Sequence, residues 1–226
     1  MGFVEEQANA WSEIHQLFKD SRLFDRPLET PDGPGATVES TEALREWLPK
    51  LFRKYKVTTM LDAACGDWNW MRLVDLGDIA YTGWDVDAER ILRAQSHVAR
   101  GEAIWNPHTW FEVRNLLTVK TVPRFDLIMC RHFLQHLPVN DLVEFVLMKF
   151  RLSESRYLLV TTFPDADNTF EWDPRGSDHA WTGYFERPYD LSAPPFDMGT
   201  PLESFSERLG PGGILTVPHE LALYRL

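Results

Sequence analysis

The chain has 226 residues with 23 basic against 34 acidic side chains, a length that suits one large domain and a net charge of -11 that repels a nucleic-acid backbone. A hydrophobic fraction of 44%, 13% aromatics and a mean hydropathy of -0.30 exclude a largely disordered chain, and no apolar run approaches a membrane span of about 18 to 20 residues. The acidic start MGFVEEQANAW is unlike a signal peptide, Glu6 stands where a myristoylation pattern wants Ser or Thr, and 2 Cys without a glycosylation sequon give no sign of secretion. By elimination we expect a cytoplasmic protein with neither a nucleic-acid nor a membrane partner.

In chain order, residues 9–24 carry Trp11, Ile14, Leu17 and Phe18 at helical spacing, and the Pro- and Gly-rich run 25–37 then breaks the helix. Residues 1–35 are read as a helix and arm, serving as a lid or as the contact of a homodimer. Ser40 is placed to cap a helix over Thr41–Lys54, with Leu44, Trp47, Leu48 and Leu51 on one face and a basic end. From there strands and helices alternate. Strands are predicted at Thr58–Ala63, Ala80–Trp84, Trp110–Val113, Phe125–Cys130 and Tyr157–Thr162, with helices near Trp68–Asp75, Asp87–Arg100 and Val139–Phe150. That alternation predicts an α/β, doubly wound, Rossmann-like sheet. The Pro- and aromatic-rich segment 163–200 breaks the pattern, and two strands, Leu202–Arg208 and Glu220–Arg225, flank the turn GPGG. The main domain is therefore read as residues 36–226, with 163–200 as a substrate loop.

Two motifs carry chemistry. In TTMLDAACGDWNWM an apolar strand ends at Asp62 and enters a small-residue loop, Cys65, Gly66 and Asp67, where backbone N–H groups can approach a ligand. It is not GxGxxG, which disfavours a pyrophosphate cradle and with it a nucleotide dehydrogenase. A second strand, in YTGWDVD, ends at Asp85, nineteen residues beyond Gly66, where an acid is placed to accept two ribose hydroxyls. Together they indicate an adenosine-type ligand. The competing reading makes Asp85 a helix cap, a task for which Asp87 is equally placed.

With these motifs the sequence resembles the class I S-adenosylmethionine-dependent methyltransferases over about residues 36–226. The resemblance implies a seven-stranded mixed sheet with an antiparallel last strand, S-adenosyl-L-methionine as cofactor and S-adenosyl-L-homocysteine as product. It implies that Asp62, Ala63, Cys65, Gly66, Asp67 and Trp70 surround the methionine half. Asp85 and Val86 would hold the ribose and Asn115 and Leu116 the adenine, Asn115 standing where the family usually has an Asp. Cys130 and Arg131 would lie at the end of the fourth strand. A narrower likeness is to bacterial methyltransferases with CGDxNW, CRDxLxHL, TTF and WRPxxLxxPPF; here the segments read CGDWNW, CRHFLQHL, TTF and ERPYDLSAPPF. That group implies a role in saccharide or polysaccharide O-methylation, with an oligosaccharide or small-molecule substrate.

His132 stands where that group has an Asp. Its imidazole, with an unperturbed pKa of ~6.5, is expected to take the hydroxyl proton as the methyl arrives, beside Arg131. His136, four residues on, would share a helix face with it and is a second catalytic candidate. In the 163–200 loop, Asp165, Asn168, Trp181, Tyr184 and Arg187 are expected to bind a sugar through aromatic faces and hydroxyl hydrogen bonds. Asp165, Asp167, Asp173, Asp178 and His179 could alternatively hold Mg²⁺, although no compact ligand spacing is visible. Cys65 and Cys130, at the tips of neighbouring strands, are expected as reduced thiols. The competing functions are methylation of a non-sugar hydroxyl or carboxylate, and a non-catalytic cofactor-binding protein.

Overall fold

The computed structural model describes residues 29–137, 139–169, 187–207 and 218–226. The expected helix over 9–24 and the loop residues Trp181, Tyr184, Asp173, Asp178 and His179 lie outside them. Seven strands form one sheet: β1 (Thr59–Ala63), β2 (Ala80–Asp85), β3 (Thr109–Val113), β4 (Leu127–Cys130), β5 (Tyr157–Thr162), β6 (Glu203–Glu207) and β7 (His219–Arg225). Their order is β3-β2-β1-β4-β5-β7-β6. The first five run parallel, and β7 runs antiparallel between β5 and β6. The expected architecture is therefore found, antiparallel last strand included.

Among the described residues three α-helices cover the sheet: α1 (Glu42–Tyr55), α2 (Ala88–Ala99) and α3 (Asn140–Leu152). Alternation along the strands sorts the core into two faces. Leu61, Ile128, Leu158 and Ala222 pack with Val143, Val146 and Phe150 of α3. Their neighbours Met60, Leu127, Leu159 and Leu221 pack with Leu44, Leu48 and Leu51 of α1 and with Trp68. Because both faces are covered, β5 is buried at every position. Among the described residues no helix is long and apolar enough to cross a membrane.

Two local expectations are corrected. Ser40 does not cap α1: its hydroxyl bonds Thr37, the cap residue is Thr41, and the Thr41 hydroxyl donates back to the Thr37 carbonyl. The helix expected at Trp68–Asp75 shrinks to a 3-10 turn at Met71–Leu73. The Asp67 carboxylate accepts the Asn69 N–H, and Trp68 adopts φ 62°, so the chain turns there before a helix can nucleate.

Candidate functional site

The parallel strands deliver β1, β2, β4 and β5 to one carboxyl edge, where open α/β sheets bind ligands. At the first crevice Gly66, with φ 59°, turns the chain after β1. A Cβ there would run into the Asp32 carboxylate. Gly83 in β2 is required for closeness, since its Cβ would lie 2.7 Å from the Phe111 ring and 2.9 Å from Cys65 Sγ. The Asp85 carboxylate closes the crevice. Its Oδ2 accepts the Gly66 N–H at 3.0 Å and its Oδ1 accepts the Asp87 N–H at 2.8 Å. The α2 cap is Asp87, which accepts from Glu89 N–H, so Asp85 belongs to the glycine loop.

Carboxylates converge on this loop. Asp62 is buried, and its Oδ2 accepts the Tyr81 hydroxyl at 2.6 Å. Burial pushes its pKa up to about 7 against the opposing effects of that bond and of Arg131. Burial raises Asp85 likewise, and burial together with the Asp32 carboxylate raises Asp67. Asp32 accepts the Asp67 N–H at 2.7 Å and pairs with Arg90 of α2 at 2.8 Å. Thr30 donates to Asp67, and Asn69 donates to Glu29 and to the Ala36 carbonyl. Residues 29–36, largely assigned by the sequence reading to a separate arm, thus rest on the loop itself. The carboxylates of Asp32, Asp62, Asp67 and Asp85 gather around the glycine loop, an acidic setting that favours a cationic ligand and disfavours a pyrophosphate.

Asn115 Oδ1 accepts the Leu117 N–H at 2.8 Å, an internal turn that engages the oxygen expected from the sequence to meet the base. Lys149 of α3 holds the same loop, donating to the carbonyls of Leu116, Leu117 and Val119 at 2.8, 3.1 and 2.7 Å. Val86 is exposed, Leu116 is buried, and Cys65 and Cys130 are buried free thiols. Burial raises both thiol pKa values, so neither is a ready nucleophile.

At the second crevice, after β4, Arg131 stacks over Trp70 with the guanidinium carbon 5.1 Å from the ring centroid. Its Nη2 donates to the Gly35 carbonyl and its Nε to Oε1 of Glu207 at 2.8 Å, and the ion pair brings Nη2 to 2.7 Å from the same oxygen. His132 adopts φ 53°, and its N–H donates to Thr161 Oγ1 of β5. Its Nδ1 meets the Gln135 side-chain amide nitrogen at 2.7 Å, and its other ring nitrogen, Nε2, lies 3.5 Å from Glu207 Oε2. Burial, reinforced by Arg131, His219 and His136, lowers the His132 pKa well below its usual value and keeps the ring neutral at pH 7. The helix face expected to join His132 and His136 does not form, because His136 ends a three-residue 3-10 turn, Leu134–His136.

Of the expected substrate residues, Asn168 is committed to the loop. Its Nδ2 donates to the carbonyls of Asp190 and Pro194, and its Oδ1 accepts the Asp190 N–H. Arg187 is buried, donates to the Asn168 carbonyl and stacks on Tyr189 at 4.8 Å. Asp165 is exposed. Sequence reasoning overlooked Glu207 and His219. They flank the β6–β7 hairpin, and the antiparallel run of β7 returns its first residue and the last residue of β6 to the carboxyl edge.

No family model matches the chain, and no curated protein sequence matches it. Solved structures share its fold. The N-methyltransferase NodS from Bradyrhizobium japonicum WM9, in complex with S-adenosyl-L-homocysteine, aligns with TM-score 0.62 and 17% identity, covering 93% of this chain and 96% of NodS. The magnesium protoporphyrin IX methyltransferase ChlM from Synechocystis PCC 6803, with bound S-adenosylmethionine, aligns with TM-score 0.61 and 11% identity over 90% of this chain and 88% of its own. A [4+2]-cyclase, SpnF, also aligns, with TM-score 0.57 and 11% identity over 81% of this chain and 82% of its own. The fold is that of the class I methyltransferases.

Proposed function

We propose that the protein transfers a methyl group from S-adenosylmethionine to a hydroxyl of a saccharide, in the cytoplasm. The observation that carries the cofactor assignment is the acid-lined glycine crevice. It offers carboxylates to a ligand bearing both an ammonium and a sulfonium, and Asp85, whose two oxygens each accept one backbone N–H and keep a second lone pair, would take the ribose hydroxyls. A dinucleotide would have to place its phosphates among those same carboxylates. The saccharide assignment rests on the likeness of CGDWNW, CRHFLQHL and ERPYDLSAPPF to the bacterial group, and on the polar character of the second crevice.

Methyl transfer from a sulfonium needs little covalent help. The acceptor oxygen attacks the methyl carbon in line, the S–CH₃ bond breaks with its electrons remaining on sulfur, and an O–CH₃ bond forms. Alignment supplies most of the acceleration, up to about 7 to 11 kcal/mol in favourable cases. The hydroxyl proton leaves at the second crevice, beside His132 and Arg131.

The test is labelled methyl transfer from S-adenosylmethionine to mono- and oligosaccharides, with non-sugar alcohols and carboxylates alongside and calorimetry of cofactor binding. Label on a saccharide is the expected outcome. Label only on the other acceptors removes the sugar assignment, and cofactor binding without label on any acceptor leaves a binding protein or, as SpnF shows for this fold, a different reaction.

A further inference from the structure

We propose that His132, Glu207 and His219 form a binding site for a single divalent transition-metal ion, of the class of Zn²⁺, Co²⁺ or Mn²⁺, on the acceptor side of the sheet edge. The three residues come from the exit of β4, the end of β6 and the start of β7, so only the folded sheet assembles them. Their donor atoms lie within 4.8 Å of one another. Nε2 of His132 and Nε2 of His219 stand 3.5 and 3.9 Å from Oε2 of Glu207. Donors about 2.0 to 2.1 Å from a tetrahedral ion lie roughly 3.4 Å apart, so small side-chain rotations complete the site.

The strongest indication is the state of Glu207. Its side chain is 5% exposed; Oε1 takes both Arg131 contacts, while Oε2, fully buried, receives no hydrogen bond. A buried carboxylate oxygen without a donor is destabilising, and a cation at the cluster's centre removes that penalty. His132 Nε2 is equally buried and accepts no hydrogen bond.

Gln135 supplies the outer support. Its Oε1 has no partner while its Nε2 faces His132 Nδ1. Turning the amide by half a rotation exchanges two atoms of similar size. Oε1 then accepts Nδ1–H, and the lone pair of His132 Nε2 points toward Glu207, the arrangement that metal-binding imidazoles use. Two imidazole nitrogens and one carboxylate oxygen select a borderline transition ion over Mg²⁺, which prefers oxygen. This places metal binding away from the acidic loop residues considered from the sequence. The Arg131 charge opposes the ion, so the site binds less tightly than a closed structural zinc site.

Three protein ligands leave coordination positions open. On the methyltransferase reading, on which only this role rests, an acceptor hydroxyl takes one of them and loses its proton to solvent on coordination. The methyl group then meets an alkoxide, and His132 acts as a ligand in place of a base.

The experiment titrates Co²⁺ into the dialysed full-length protein with neither methyl donor nor acceptor present, so its result is independent of whether methyl transfer occurs. The expected result is one equivalent bound with visible d–d absorption. Glu207→Gln, which keeps an acceptor for Arg131, and His219→Gln should each weaken binding at least tenfold with an unchanged circular dichroism spectrum. Should a variant fail to fold, nitrogen NMR of the wild-type histidines decides: Co²⁺ should shift or broaden two ring systems selectively. Substoichiometric binding, binding indifferent to both variants, or no selective histidine effect overturns the site.

Discussion

On the proposed cofactor assignment, the buried Asp62 side chain couples ligand binding to pH. Burial holds its carboxyl near pKa 7, above the unfolded value of about 3.9, so the ligand-free fold loses stability as pH rises through that interval. A cationic cofactor bound beside it, as proposed, would favour the ionised form, and binding below about pH 7 would then release a proton. Cofactor affinity should accordingly rise by up to about tenfold per pH unit below that value and level off above it. In Asp62→Asn the slope should vanish. Calorimetry in buffers of different ionisation enthalpy measures both, and a flat wild-type profile would exclude Asp62 from the cofactor's surroundings. Asp62, Gly66 and Asp85 were all legible in the sequence because strand tips and a glycine loop leave a spacing that survives without coordinates. Glu207 and His219 were not, since their meaning comes from a strand reversal that joins residues 132, 207 and 219, and no local pattern records it.

Single elements report the same division between local and distant control. The amphipathic α1 and α2 and the buried run of β5 follow from periodicity and lie close to their predicted limits. The missing helix after Trp68 follows from the Asp67 side chain bonding a backbone N–H, a competition that apolar spacing cannot reveal. Within α1, Pro49 lacks the N–H that would bond the Arg45 carbonyl, and the helix keeps its length because Leu44, Leu48 and Leu51 are anchored in the core. Pro49→Ala should restore that bond and stabilise the protein by about 1 to 3 kcal/mol, seen as a higher urea midpoint. A lower midpoint would mean that the proline itself is needed for packing against β6, where Trp47 meets Phe205 with ring centroids 5.2 Å apart.

At the scale of the molecule, the ligand crevices are shared among β1, β2, β4, β5 and the residues 29–36 folded across them, so occupancy should be felt throughout the sheet. S-adenosyl-L-homocysteine at one hundred times its dissociation constant should add about 2.7 kcal/mol of stability. For a domain of this size that corresponds to roughly 5 to 10 °C in Tm. Asp85→Asn should abolish the shift at the same ligand concentration, and differential scanning calorimetry would reveal either outcome. The strand order holds a further consequence, for biosynthesis. β7 leaves the ribosome after every other strand, yet its place is between β5 and β6. Until residues 219–225 emerge, YLLVTT presents an unsatisfied apolar edge and ESFSE has no neighbour to pair with. A chain whose parallel strands assembled before β7 arrived would carry that unpaired β5 edge, and chaperone capture or self-association would then compete with closure of the sheet.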